Sequence, residues 1–208
     1  MEHRITGVVL AAGSGTRFGG QKLLFPYRGE PLLSWSLRVV EPLPLAGRLI
    51  VLGADSQAIL EQVFKSSAGE ALQTRGELKL THNGKEWLAL YNPDWPVGMG
   101  TSLRRAAQVA SGGLLVFLGD MPWVPVAAAQ AVLTRAGARP IAPSYQGQRG
   151  FPVYLPPTLR PRLLSLAGDR GAREILAGDC DLIPWADPGV VFDVDEDADL
   201  ARLIGGRA

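Results

Sequence analysis

Apolar residues are distributed along the chain in two distinct ways. Ile5–Ala12, Arg48–Gly53 and Gly113–Leu118 are short, nearly continuous apolar runs. Runs of that length, apolar on both alternating faces, predict strands buried on both sides, as in a parallel sheet covered above and below. Between them apolar residues recur at helical spacing. The pattern predicts helices over Pro31–Val40, Ser56–Phe64, Thr101–Ala110, Val126–Ala136, Leu159–Leu166, Ala172–Leu176 and Ala198–Ile204. Pro31 suits a first helical turn, and Asp55 suits an N-cap. Shorter strands are expected at Trp87–Tyr91, Pro140–Pro143, Val153–Leu155 and Val190–Val194, with a polar turn over Tyr145–Gly150. Residues 66–86 are polar and weakly patterned, and are read as a loop with a short strand. Strands alternating with helices give a three-layer α/β fold, a mostly parallel sheet with helices on both faces. No repeat or linker divides it, so residues 1–208 are read as a single domain.

Composition narrows the partners. Lys and Arg total 21 against 20 Asp and Glu, so the net charge of +1 draws the chain toward neither nucleic acid nor a membrane surface. One cysteine, Cys180, leaves no internal disulfide and no Cys-based zinc site, and His3 and His82 are too far apart in sequence to suggest a histidine site. The opening lacks a signal-peptide layout, and no apolar run approaches the roughly 20 residues of a membrane span. The expectation is a soluble, cytoplasmic protein whose affinity for anions is local.

That locality begins at VVLAAGSGTRFGGQKLLF, residues 8–25, where the first strand runs into four glycines, Arg17 and Lys22. The loop fails as a P-loop because Gln21 follows Gly20 and Leu23 follows Lys22. It fails as a dinucleotide loop because Phe18 stands at the third glycine. Physically it offers small residues, through which backbone N–H groups approach an anion closely, with a guanidinium fork and a mobile ammonium beside them. That set suits a triphosphate; the alternative is a tight strand-to-helix turn with solvated cations.

Asp120, after the strand Gly113–Leu118, is placed either to hold Mg²⁺ or to cap a turn. Asp193 and Asp195, at period two, share one face of an extended segment and serve either as metal ligand or as cap. In NPDWPVGMGTSL, residues 92–103, Asn92 carries the donor and acceptor that read a base edge, and Gly98 and Gly100 permit close approach. The N–H groups near Ser102 open a helix; alternatively the segment is a loop with Thr101 as N-cap and Trp95 as a core plug. Arg149, Arg170 and Arg173, in glycine contexts, are candidates for a second anionic ligand or ordinary surface arginines. Cys180 reads as a small, partly buried residue.

Six segments, in order, resemble the MobA-like nucleotidyltransferases, and within them the molybdenum cofactor cytidylyltransferase branch. They are LAAGSGTRFGGQKL at 10–23, NPDWPVGMGTSL at 92–103, GDMP at 119–122, RGFPV at 149–153, GDRGAR at 168–173 and DVDEDAD at 193–199. The resemblance implies a Rossmann-like sheet, Mg²⁺ as cofactor, and transfer of CMP from CTP to a molybdopterin-bound molybdenum acceptor, with release of pyrophosphate. It implies that Leu10, Ala11, Ala12, Gly13, Ser14, Gly15, Arg17 and Lys22 hold the nucleotide, with Asn92, Gly98 and Ser102 near base and ribose. Lys22, Arg17 and Asp120 would carry the catalysis, and Asp120 with Asp195 the metal. Arg149, Pro152, Arg170 and Arg173 would face the phosphorylated pterin acceptor, and a molybdoenzyme or its chaperone would receive the product. LAAG, in place of an LAGG start, favours the cytidylyl over the guanylyl branch. Phe151 stands where histidine often precedes the proline, and Glu196-Asp197 replaces a threonine–proline continuation. The rival readings are a nucleotidyltransferase using GTP or a sugar or polyol phosphate acceptor, and a non-catalytic nucleotide-binding or cofactor-chaperone protein.

Overall fold

The structure is a computed structural model that describes residues 4–15, 20–169, 174–175 and 178–205. The long apolar runs are its central strands: β1 (Ile5–Ala11), β4 (Gly47–Leu52) and β7 (Gly113–Leu118). The other strands are β2 (Pro26–Tyr27), β3 (Glu30–Pro31), β5 (Glu77–His82), β6 (Lys85–Tyr91), β8 (Ile141–Tyr145), β9 (Gln148–Arg149), β10 (Val153–Leu155) and β11 (Asp181–Pro184). The main sheet runs β11-β8-β10-β7-β1-β4-β6-β5, with β9 paired to β8, while β2 and β3 form a separate hairpin. β1 is parallel to β4 on one side and to β7 on the other, and β4 is parallel to β6. The antiparallel members are β10, β9 and β5.

Alternation along the central strands builds a core on each face. Val9, Ala11, Ile50, Leu52, Leu115 and Phe117 pack under α1 (Leu32–Val40), α2 (Ser56–Gln62), α3 (Gly69–Arg75) and α5 (Val126–Thr134). Val8, Leu10, Leu49, Val51, Leu114 and Val116 face α4 (Met99–Val109) and α6 (Arg160–Leu164). A third cluster joins Tyr27, Leu32, Val194 and Leu203, the last from α7 (Asp197–Gly205), with Trp35, Trp123 and Phe192 against it. There the Trp123 and Phe192 rings stack at 4.2 Å, and Trp123 Nε1 donates to the Tyr27 hydroxyl at 3.1 Å. The result is the expected three-layer α/β fold, and among the described residues no helix is long and apolar enough to cross a membrane.

Three expectations are corrected. Residues 66–86 hold helix α3 and the full edge strand β5, which turns at Asn83-Gly84 into β6. Both turn residues have positive φ, 48° and 73°, the twist that an Asn-Gly hairpin supplies. Residues 190–194 form no strand: Pro188–Val190 is a 3-10 turn, and the chain then crosses the top of the sheet until Val194 N–H meets the Asp120 carbonyl at 3.1 Å. The sheet edge is β11, parallel to β8. Asp55 stands at the N-cap of α2 but makes no side-chain cap bond. The expected helix Ala172–Leu176 lies largely outside the described residues.

A polar contact pins the β5–β6 hairpin to the core. Glu41, 8% exposed at the end of α1, takes His82 Nδ1 on one oxygen and the Asn83 amide on the other. The same α1 end gives the Glu41 and Leu43 carbonyls to Arg48 at 2.9 Å. Glu41→Ala leaves the His82 ring, whose side chain is 9% exposed, without its partner and removes the acceptor of the exposed Asn83 amide, so stability is expected to fall by about 2 kcal/mol. Urea unfolding, read against Glu41→Gln, which retains the shape and one of the two acceptor oxygens and should lose less, checks this.

Candidate active site

The carboxyl ends of β1, β4, β6 and β7 converge on one edge of the sheet. β1 is where the chain order reverses, since α1 leads from it to β4 while β7 returns on its other side. Ligands of open α/β sheets sit at such a reversal. A cleft of about 360 Å³ opens there, lined by Leu10, Ala12, Gly13, Ser14, Trp95, Pro96, Gly98, Met99, Ser102, Leu118, Asp120 and Asp169.

Beside it one cation bridges two carboxylates from distant parts of the chain. Lys22 Nζ donates to Asp120 Oδ2 at 2.7 Å and to Asp195 Oδ1 at 2.9 Å. The lysine side chain is 12% exposed, Asp120 20% and Asp195 47%. Burial alone would lower the lysine pKa, but attraction by Asp120, and then by Asp195, prevails and raises it above 10.5. Asp193 is held above its ordinary value by burial and by the neighbouring charges of Asp120 and Asp195. The ammonium neutralises two carboxylates at once. Among the described residues no group of three or more His, Cys, Asp or Glu forms a metal cage. A hard cation that takes few protein carboxylates and completes its shell with phosphate and water fits this donor set.

Each member is fixed by its own local structure. The loop after β1 closes through the Gly20 N–H to the Gly15 carbonyl at 3.1 Å. Gly15 has φ +60°, and a Cβ there would meet Lys22 Cβ at 2.9 Å, so the loop lets the lysine pass only beside a glycine. Asp120 follows Gly119, whose N–H bonds the Leu10 carbonyl at 2.9 Å and whose carbonyl accepts from the buried Ser36 hydroxyl at 2.9 Å. Asp195 is held because its own N–H and that of Glu196 both donate to Asp199 Oδ2 at 3.0 Å.

The structure redistributes several expected roles. Leu10, Ala12, Gly13, Ser14, Gly98, Ser102 and Asp120 line the cleft. Ala11 does not: its side chain is packed in the core on the opposite face. Asn92 is 2% exposed, and its amide donates to Thr101 Oγ1 at 2.8 Å and Ser102 Oγ at 3.0 Å. Its carbonyl oxygen accepts the Asp94 N–H at 3.1 Å, so the side chain builds the turn into α4 and does not read a base. Gly98, and not Thr101, is the N-cap of α4. Trp95 is no core plug; it lines the cleft. Pro152 is buried after a cis peptide bond with Phe151, and Arg149 sits on β9; neither lines the cleft. Arg17, Arg170 and Arg173 lie outside the described residues. Residue patterns missed Trp95, Pro96, Met99, Leu118 and Asp169 at the cleft, and Ser36 and Asp199 as supports. Trp95 alone carried a usable signal, an aromatic in a turn-rich stretch opening a helix.

Residues 7–183 match the MobA-like NTP transferase domain. The chain belongs to that family. This MobA-like nucleotidyltransferase is 31% identical over 215 residues to the nicotine blue oxidoreductase of Paenarthrobacter nicotinovorans, covering 96% of both chains. It is 28% identical over 211 residues to purine catabolism protein PucB of Bacillus subtilis, covering 95% of this chain and 96% of that one. The crystal structure of Rv0371c from Mycobacterium tuberculosis superposes with a TM-score of 0.79 at 25% identity, covering 99% of this chain and 100% of that one. Its manganese complex superposes with a TM-score of 0.74 at 24% identity, covering 98% and 100%.

The MobA-like site depends on close packing of α4 against the loop at residues 168–169. A Cβ on Gly100 would strike the Gly168 carbonyl, and Met99 N–H donates to Asp169 Oδ1 at 2.5 Å. Gly100→Ala, ordinarily stabilising inside a helix, is therefore expected to destabilise by about 2 kcal/mol through overpacking. Thermal unfolding beside a control alanine substitution at an exposed helical position decides it.

Proposed function

We propose that this MobA-like nucleotidyltransferase moves CMP from CTP to the phosphate of a molybdopterin-bound molybdenum acceptor, releasing pyrophosphate. The single observation that carries transfer chemistry is Lys22 held between Asp120 and Asp195 beside the cleft at the ends of β1 and β7. In this reading the N–H groups of Ala12–Gly15 and the cations Lys22 and Arg17 hold the triphosphate. Asp120 and Asp195 would hold Mg²⁺, which when bound neutralises charge on the phosphates. Ser102, Gly98 and the turn built by Asn92 shape the nucleoside end. Arg149, Arg170 and Arg173 remain proposals for the acceptor side; buried Pro152 is withdrawn from it.

The chain's own work is positional. An acceptor phosphate oxygen attacks the α-phosphorus in line and pyrophosphate leaves, so no protein nucleophile is required. Lys22 is permanently charged at neutral pH by its two carboxylates, and its flexible stem lets it turn from them to the incoming phosphates. Charge developing on the leaving oxygens then meets a cation that substrate binding has already drawn to the phosphates. Gly15 and Ser36 act through Lys22 and Asp120 as positioning residues.

The cytidylyl choice rests on the LAAG start of the loop, and the pterin acceptor on the family motifs; the protein acts in the cytoplasm in this reading. The name of the Paenarthrobacter relative states a redox activity for that protein. Here Phe18 in place of the third glycine of a dinucleotide loop, together with the lysine–carboxylate cluster, favours transfer.

Pyrophosphate release, with CTP, GTP, ATP or UTP crossed with and without the molybdenum–pterin acceptor, tests the proposal. Release is expected with CTP plus acceptor, lost on chelation and restored by Mg²⁺. Release with another base or acceptor moves the specificity, and none with any pair removes the catalytic reading. In the same assay Asp120→Ala should lower kcat at least about a hundredfold, and Lys22→Ala should lower kcat/KM about a hundredfold. Near-normal turnover in either would count against the site.

A further inference from the structure

The cleft carries a second carboxylate that the transfer chemistry does not use. Asp120 belongs to the cluster that Lys22 bridges, whereas Asp169 lines the cleft on its α4 wall, next to Gly98 and Met99. It is placed there by the chain: Met99 N–H donates to Asp169 Oδ1, and Gly98, at φ +128°, leaves room for the carboxylate that a side chain would displace. A carboxylate only accepts hydrogen bonds and repels phosphate. Whatever part of a nucleotide lies against it must donate.

Connectivity limits the choice. With the triphosphate drawn to Lys22, the sugar is the next group along the ligand, and the base lies beyond it. Trp95 and Pro96 share the α4 wall with Asp169 and present apolar faces of the kind on which a base stacks. The vicinal hydroxyls of ribose are then the donors that every ribonucleotide brings to this place, whichever base it carries. An acidic residue accepting from ribose hydroxyls is also how dinucleotide-binding sheets read their sugar.

We infer that Asp169 reads the ribose of the bound nucleoside triphosphate by accepting hydrogen bonds from its vicinal hydroxyls, an inference that rests on the cleft being the nucleotide site. The segment GDRGAR, expected on the acceptor side, thereby contributes its aspartate to the nucleotide side. Asp169 is a specificity residue for sugar, and it selects ribonucleotides over deoxyribonucleotides.

The test is equilibrium binding by calorimetry in Mg²⁺, without acceptor. Each of CTP, GTP, ATP and UTP is compared with its 2′,3′-dideoxy analogue on the full chain and on Asp169→Ala and Asp169→Asn. The wild type should bind its preferred ribonucleotide about tenfold to a hundredfold tighter than the dideoxy form. Asp169→Ala, which also frees Met99 N–H, should collapse the ratio of ribonucleotide to dideoxy affinity to about one. Asp169→Asn, which still accepts from Met99 N–H, should keep part of the discrimination. Equal wild-type affinity for the two sugars overturns the inference. So does a variant that weakens both alike, because that marks a purely structural brace for α4. Failure of every nucleotide to bind overturns the cleft reading itself and this inference with it; binding without sugar discrimination overturns this inference alone.

Discussion

Lys22 lies 98 residues from Asp120 and 173 from Asp195 in the chain, yet one ammonium touches both carboxylates. Among the described residues this ammonium ties the beginning, middle and end of the chain at a single atom. Without that cation two carboxylates would face each other at a half-buried edge, with Asp193 close behind, and their repulsion would spread the loops that carry them. The segment after the glycine loop, the exit of β7 and the C-terminal segment meet at this cation. A phosphate ligand and a divalent cation would exchange partners within the same charge set, with the lysine moving to phosphate and the carboxylates to metal.

The supports of this cluster are mostly backbone. Gly119 is tied to Leu10 and Ser36, Val194 to Asp120, and Asp195 to Asp199. Each supporting bond joins segments distant in sequence, except the last. Lys22 and Asp120 therefore sit beyond the carboxyl ends of β1 and β7, where β1 is flanked by parallel partners on both sides. Their reach into the cleft depends on only a few side-chain torsions.

Much of the architecture was readable because two-sided burial leaves a continuous apolar run, and β1, β4 and β7 all have one. β5 hid because an edge strand is polar on most positions; its burial alternates weakly, and only Leu80 is fully inside. Its real signal was the Asn83-Gly84 turn, a local backbone preference that apolar counting overlooks. Val190–Val194 misled for the opposite reason: Phe192 and Val194 pack in the hairpin cluster and not in a ladder. In the site, Lys22 and Asp120 were legible from loop chemistry and strand ends. Asn92 was misassigned because an amide that folds a turn carries the same donors and acceptors as one that reads a ligand. Asp169 was passed over because its role comes from α4, 70 residues away.

The stacking of Trp123 on Phe192 joins the turn after Asp120 to the segment that delivers Asp195. The same indole is hydrogen-bonded to Tyr27 on the hairpin that follows Lys22. One fluorophore thus touches all three strands of chain that meet at the charge cluster. With the other four tryptophans replaced, its emission becomes an internal gauge of whether they are seated together, readable without label or substrate.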